Sequence, residues 1–203
     1  LDIADDGSGG ATFCMCETCE SWDAPEGRLV EIRQGAETIE HVSLTDRFVR
    51  FYAEVAKLVA EEMTDRFVGA YAYSVYKSPP VRETLPPNVV IGFVPNSDIY
   101  LNEDERQEMR RDWREWADKA ENLFLRPNWL RAGMGFPTCY VHRMADDIQY
   151  FAENGMLVTD FDCCEHEWAG DGLNYYVLAK LLWQPQQDVD DLIEEFCRAG
   201  FGP

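Results

Sequence analysis

Residues 88–94 read NVVIGFV, and residues 102–122 read NEDERQEMRRDWREWADKAEN. The first is a short, nearly continuous apolar run, as a strand buried on both faces requires. The second gathers acids at its start, where the positive end of a helix dipole favours them. No hairpin signal lies between the two. A buried strand followed by a helix is the first half of a βα unit, and repeated units of that kind build parallel sheets.

The same alternation runs outward in both directions. Upstream, SLTDRFVRFYAEVAKLVAEEM (43–63) places Phe48, Phe51, Tyr52, Val55, Leu58 and Val59 on one helical stripe, with Ser43 or Thr45 as N-cap. RFVGAYAYSVY (66–76) reads as a strand closed by the breaker SPP. Downstream, LFLRPNWL (123–130) is a strand weakened by Pro127, and HRMADDIQYFAEN (142–154) is a helix ended by Gly155. GMLVTDFDCC (155–164) is a further strand, and LNYYVLAKLLW (173–183) and VDDLIEEFCRAG (189–200) are two closing helices.

Two architectures have this pattern: a doubly wound open sheet and a (β/α) barrel. No GxGxxG or Walker sequence follows any strand, so nothing supports a dinucleotide or P-loop site. Polar and aromatic residues collect instead at the strand C-terminal ends: Asp5 and Asp6, Tyr71 and Tyr73, Asn128 and Trp129, Asp160 and Asp162. Barrels place their active sites on that face. Four clear strands, plus a remnant in LDIA at residues 1–4, predict an α/β fold corresponding to the C-terminal half of a (β/α)8 TIM-type barrel. Residues 1–42 read as an irregular segment and 43–203 as the βα repeats. The opening LDIADDGSGG lacks an initiator Met and reads as the start of an excerpt or a processed product.

Composition narrows the partners. The formal charge is −20, from 38 acids against 18 bases. Phosphate binding needs clustered Lys and Arg, so nucleic acid and anionic membrane surfaces are poor partners. No apolar run approaches the roughly 20 residues of a membrane span. The hydrophobic fraction of 46% is that of a folded domain.

Three of the seven cysteines stand within six positions in FCMCETCE (13–20). Cys14, Cys16 and Cys19 are soft ligands spaced to converge on one Zn²⁺, with His41 as the first choice of fourth ligand and Cys163, Cys164 or His166 as runners-up. A disulfide within the loop and free thiols are the alternatives. A Cys-x-x-Cys redox site normally opens a helix, and the flanking GSGGA and ESWDAPEG offer none. Zinc here predicts a structural brace and not a catalyst.

Sugar hydrolysis needs two carboxylates, one to protonate the leaving oxygen and one to act as nucleophile or base. Asp160 and Glu165 are the first candidates, and Asp5 and Asp6 the second, each weighed against the solvated acid that is the rule in so acidic a chain. Tyr71, Tyr73, Trp129 and Trp168 are candidate stacking rings and Asn128 and His166 candidate polar contacts; ordinary core packing is the competing reading of the rings. Trp113, Trp116 and Trp183 fall within helices and are expected to pack there. The loop DFDCCEHEWAGDG (160–172) gathers acids, an imidazole and a ring, and so is expected to rim the active-site face.

DDGSGGATFCMCETC resembles the Asp-Gly followed by Cys-x-Cys-x-x-Cys of domain-of-unknown-function family 4838, found among glycoside-hydrolase-like barrel proteins of polysaccharide-degrading bacteria. DRFVRFYAEVAKLVAEEM, VGAYAYSVYKSPPVRETLPPNVVIGF and LNYYVLAKLLWQPQQDVDDLIEEFCRAGFG resemble, in order, its Phe-rich helix, its Ala-Tyr and Asn-Val-Val strands around a Pro-Pro breaker, and its closing helices. The resemblance implies a barrel related to hexosaminidase- and glucuronidase-type glycosidases, and a secreted or periplasmic location. The expectation is therefore a glycoside-hydrolase-like domain that hydrolyses or recognises polysaccharide or oligosaccharide. The alternative is a non-catalytic carbohydrate-binding or structural module braced by zinc. Half a barrel exposes strand edges, so self-association or pairing with the rest of a parent barrel is also expected.

Overall fold

The computed structural model describes residues 13–34, 36–96, 102–129, 139–161 and 168–202. Four strands, β3 (Val68–Ala72), β4 (Val89–Phe93), β5 (Asn122–Leu125) and β6 (Met156–Thr159), form one parallel sheet in that order. Helices α3 (Glu103–Ala117) and α4 (Val141–Glu153) connect β4 to β5 and β5 to β6. A doubly wound sheet reverses its strand order at a switch point. This order runs without reversal, as in half of a TIM-type barrel. Among the described residues, no helix is long and apolar enough to cross a membrane.

The chain divides into two compact units, the first comprising residues 1–95 and 109–124, the second 96–108 and 125–203. In the first, β3 and β4 pair Ala70 with Ile91, Tyr71 with Gly92 and Ala72 with Phe93. Alternation sends Ala70, Ala72, Ile91, Phe93 and Leu123 into the core, all buried. Trp113 of α3 meets the Phe93 ring edge-on, and Trp116 donates its indole N–H to the Lys77 carbonyl at 2.8 Å. Both tryptophans pack as expected. The opposite face carries Tyr71 and Phe124, whose rings meet over Gly92. A Cβ at Gly92 would lie 2.4 Å from Phe124 Cζ and 2.7 Å from Tyr71 Cδ1, so only glycine fits beneath these rings.

Helix α2 (Thr45–Glu62) buries Thr45, Val49, Tyr52, Ala53 and Ala56. The expected stripe is therefore displaced: Tyr52 is in it, but Leu58 is 63% exposed. The first turn buries polar side chains as well. The buried Asp46 carboxylate accepts from the backbone N–H groups of Val81, Arg82 and Glu83 at 2.7–2.9 Å. Arg47 is buried against Asp23. The N-cap position falls on Leu44, and Ser43 and Thr45 instead bond each other at 2.7 Å.

Residues 29–42 depart from the irregular segment expected there. β1 (Leu29–Gln34) and β2 (Glu37–Val42) form an antiparallel hairpin with Ile32 opposite Ile39 and Val30 opposite His41. Its inner residues join a core of Ile32, Leu44 and Tyr76, against which Phe13, Met15, Phe48 and Tyr73 also pack.

In the second unit, α5 (Trp168–Trp183) and α6 (Val189–Phe201) follow β6, and α5 packs against α4. Asp188 caps α6 by accepting from the N–H groups of Asp190 and Asp191. Arg106 is buried; its Nε donates to the fully buried Asp147 at 2.9 Å, and its Nη2 reaches Asp146. Burial opposes the charge on Arg106, but these two carboxylates outweigh it and raise its pKa above the ordinary value. Trp183, expected to pack, is instead 91% exposed at the end of α5.

Candidate functional site

The cysteine loop is built by alternation. Phe13 and Met15 pack on the Ile32–Leu44–Tyr76 core, and Cys14 and Cys16, which alternate with them, are exposed. The chain then turns into a single helical turn, α1 (Glu17–Glu20), with Cys16 as its N-cap. This turn wraps Cys19 back beside the other two. Cys16-x-x-Cys19 thus does open a helix, contrary to the sequence expectation; at four residues it is too short to have left a periodic signal.

The three sulfurs lie within 4.8 Å of one another, and the Cys14 thiol donates to Cys16 Sγ at 3.4 Å. Thiolates about 2.3 Å from a shared zinc stand about 3.8 Å apart in a tetrahedral site. The trio is close enough to hold a metal ion, and its donors are soft. The sulfurs are not equivalent. The Cys16 pKa is lowered to about 7, chiefly by the Cys19 backbone N–H, which faces it without closing a regular capping bond, and then by the Cys14 thiol. The Cys19 pKa is raised to about 11, because its proton is held by hydrogen bonds to Cys14 and then Cys16.

His41 is not in this group; among the described residues the cluster is the three cysteines. The hairpin register carries His41 elsewhere, with Nδ1 at 2.8 Å from the Val42 carbonyl and Nε2 at 4.0 Å from Asp23. Cys163, Cys164 and His166 lie outside the described residues.

What anchors the loop escaped the sequence reading. Arg47 of α2 donates Nε to Asp23 at 2.9 Å and Nη1 to the Cys14 carbonyl at 2.7 Å. Arg82 donates to the Asp23 carbonyl, and the Arg50 guanidinium lies 4.7 Å over the Trp22 ring. Residues 14, 23 and 47 are far apart in sequence, so no spacing pattern announces them.

The strand ends present a second group. In the second unit, the Asp160 N–H donates to the Leu125 carbonyl at 3.0 Å, joining the ends of β5 and β6. The Asp160 carboxylate, 66% exposed, stands 3.9 Å from Arg126 Nε. Two positions along, the Asn128 side-chain oxygen is buried with no hydrogen-bond partner among the described residues. Trp129 is fully buried between Phe151 and Phe161 and cannot stack on a ligand, which corrects that expectation. Trp168 opens α5 and is 62% exposed, its indole lying across Gly172 and alongside Tyr175.

In the first unit, Tyr71 is half-buried against Phe124, and Tyr73 packs edge-on to Tyr76 in the core below the cysteine loop. The backbone turns between them and the 3-10 segment at Ser74, whose φ of 50° is left-handed. Asp5, Asp6, Asp162, Glu165 and His166 lie outside the described residues.

The model of one family, Domain of unknown function (DUF4838), matches residues 3–203, and the chain belongs to that family. No curated protein and no solved structure matches it.

Proposed function

We propose that the chain is a carbohydrate-recognising, glycoside-hydrolase-like domain whose ligand face is the C-terminal end of its parallel strands. The group of Arg126, Asn128 and Asp160 carries this reading. It sets a guanidinium 3.9 Å from a carboxylate, and two residues after Arg126 in the chain an amide oxygen is buried without a partner among the described residues. Sugar hydroxyls donate and accept at once, and planar side chains of both polarities answer them in pairs. Asp160 is the candidate nucleophile or base and Glu165 the candidate acid; Trp168 offers an exposed indole. The test uses N-acetylhexosaminide and glucuronide oligosaccharides with the protein in its full natural length. Binding is followed by calorimetry and cleavage by product chromatography. Asp160→Asn weakens binding at least about tenfold with the melting temperature unchanged, as for an exposed side chain. Glu165→Gln reduces cleavage by about 10² to 10⁴. Binding without cleavage assigns the non-catalytic module instead, and neither binding nor cleavage refutes the reading.

In the same proposal Cys14, Cys16 and Cys19 hold zinc and brace the loop onto the core. X-ray fluorescence of the purified protein then finds about one zinc per chain, removed by chelator; a content near zero rejects it. The sheet also supports pairing with a second copy or a partner half. β6 is last in the strand order, and its Leu157 and Val158 are 61% and 59% exposed. Light scattering that finds a monomer at all concentrations counts against this.

A further inference from the structure

We infer that Cys16 and Cys19 form a thiol–disulfide exchange site for small disulfide-bearing molecules of the glutathione disulfide class. The site uses the sulfurs of the zinc reading but does not depend on zinc being bound.

Accessibility comes first. Cys14 and Cys16 are exposed and Cys19 is half-buried, so an incoming disulfide meets Cys16 before Cys19. Reach comes second. All three sulfurs are within 4.8 Å, so a second thiol stands beside whichever sulfur is attacked. Ring closure then selects the pair. A disulfide needs Cα atoms roughly 4.4–6.8 Å apart. Cys16 and Cys19 are separated by one helical turn, about 5 Å. Cys16 is extended, and along extended backbone two residues span about 6.7 Å, which would put Cys14 at the edge of that range although its sulfur lies 3.4 Å from that of Cys16. Cys19 is therefore the resolving thiol, and Cys14 remains free.

The chemistry balances in two exchanges. The Cys16 thiolate attacks one sulfur of glutathione disulfide, forming a Cys16–glutathione disulfide and releasing one glutathione thiolate. Cys19 then passes its proton to the released glutathione thiolate and attacks Cys16 Sγ, forming the Cys16–Cys19 bond and releasing the second glutathione as its thiolate. Two protein thiols lose two electrons and two protons, and one glutathione disulfide becomes two glutathione thiols. If zinc is bound, it loses two of the three sulfurs and departs.

The test incubates zinc-loaded and chelator-stripped protein with glutathione disulfide, traps free thiols by alkylation and maps disulfides by mass spectrometry. Expected is a Cys16–Cys19 bond in both samples, with zinc released from the loaded one. Cys19→Ser stops at the mixed disulfide on Cys16, and Cys14→Ser still closes the ring; circular dichroism checks that both fold. Absence of the bond in stripped, folded protein overturns the inference, as does modification confined to the exposed Cys139 and Cys197. Protein that never binds zinc but forms the bond defeats only the zinc reading. Protein that binds zinc but forms no bond after stripping defeats only the exchange site.

Discussion

Each unit of the chain contains a buried Arg–Asp pair, and the two serve different ends. Arg106–Asp147 holds the first turns of α3 to α4, and its remaining donors go to Asp146 and the Arg143 carbonyl. Arg47–Asp23 holds the cysteine loop to α2, with a further donor on the Cys14 carbonyl. Both guanidiniums are satisfied and both carboxylates are desolvated. The bonds are alike; what hangs on them is not. One pair joins two pieces of scaffold, and the other fixes the backbone of the cysteine loop.

The comparison predicts a separation of effects. Asp147→Ala leaves a buried guanidinium short of its fully buried partner and costs about 3 to 5 kcal/mol. Urea unfolding measures this, and any zinc held by the cysteines as proposed stays in the remaining folded protein. Arg47→Lys keeps the charge but loses the fork, costing about 1.5 to 3 kcal/mol. If the cysteines hold zinc as proposed, it also weakens that binding by about 10- to 100-fold, as loss of a ligand-orienting contact does. If both variants lose zinc equally, the two pairs are not functionally distinct.

The smallest effect is one of pH. Alkylation of Cys16 in metal-free protein follows its thiolate and rises half-maximally at about pH 7, whereas Cys19 stays protonated until about pH 11. Arg47→Lys moves the Cys16 midpoint upward toward the ordinary thiol value, because the loop that aims the Cys19 N–H loosens. Asp147→Ala leaves the midpoint in place below its unfolding transition. Peptide-resolved alkylation rates read all three curves.

Much of the scaffold was legible because its periodicities are long and strong. NVVIGFV and the helix after it needed nothing beyond local pattern, and the thiol trio was visible from spacing alone. The hairpin was missed because its alternation is diluted: Glu31, Arg33, Glu37 and Glu40 line much of its length. Trp168 was not read as helical because Gly170 and Gly172 lower the helix propensity of that turn. Trp129 and Trp183 exchanged roles because exposure depends on what packs against a ring, which sequence position does not state. Arg47 and Asp23 stayed hidden for the same reason: their bond spans 24 residues and is made by tertiary packing.

The glycine beneath the Tyr71 and Phe124 rings has a consequence for how this sequence can drift. Three side-chain volumes share one space, and one of them is already zero. Position 92 can enlarge only in a lineage where position 124 or 71 has already shrunk, since an added Cβ meets Phe124 Cζ at 2.4 Å. The reverse order is free: a smaller ring leaves a void that a later alanine fills. Substitutions at these three sites should therefore appear in relatives as ordered trades of volume, the ring giving way first.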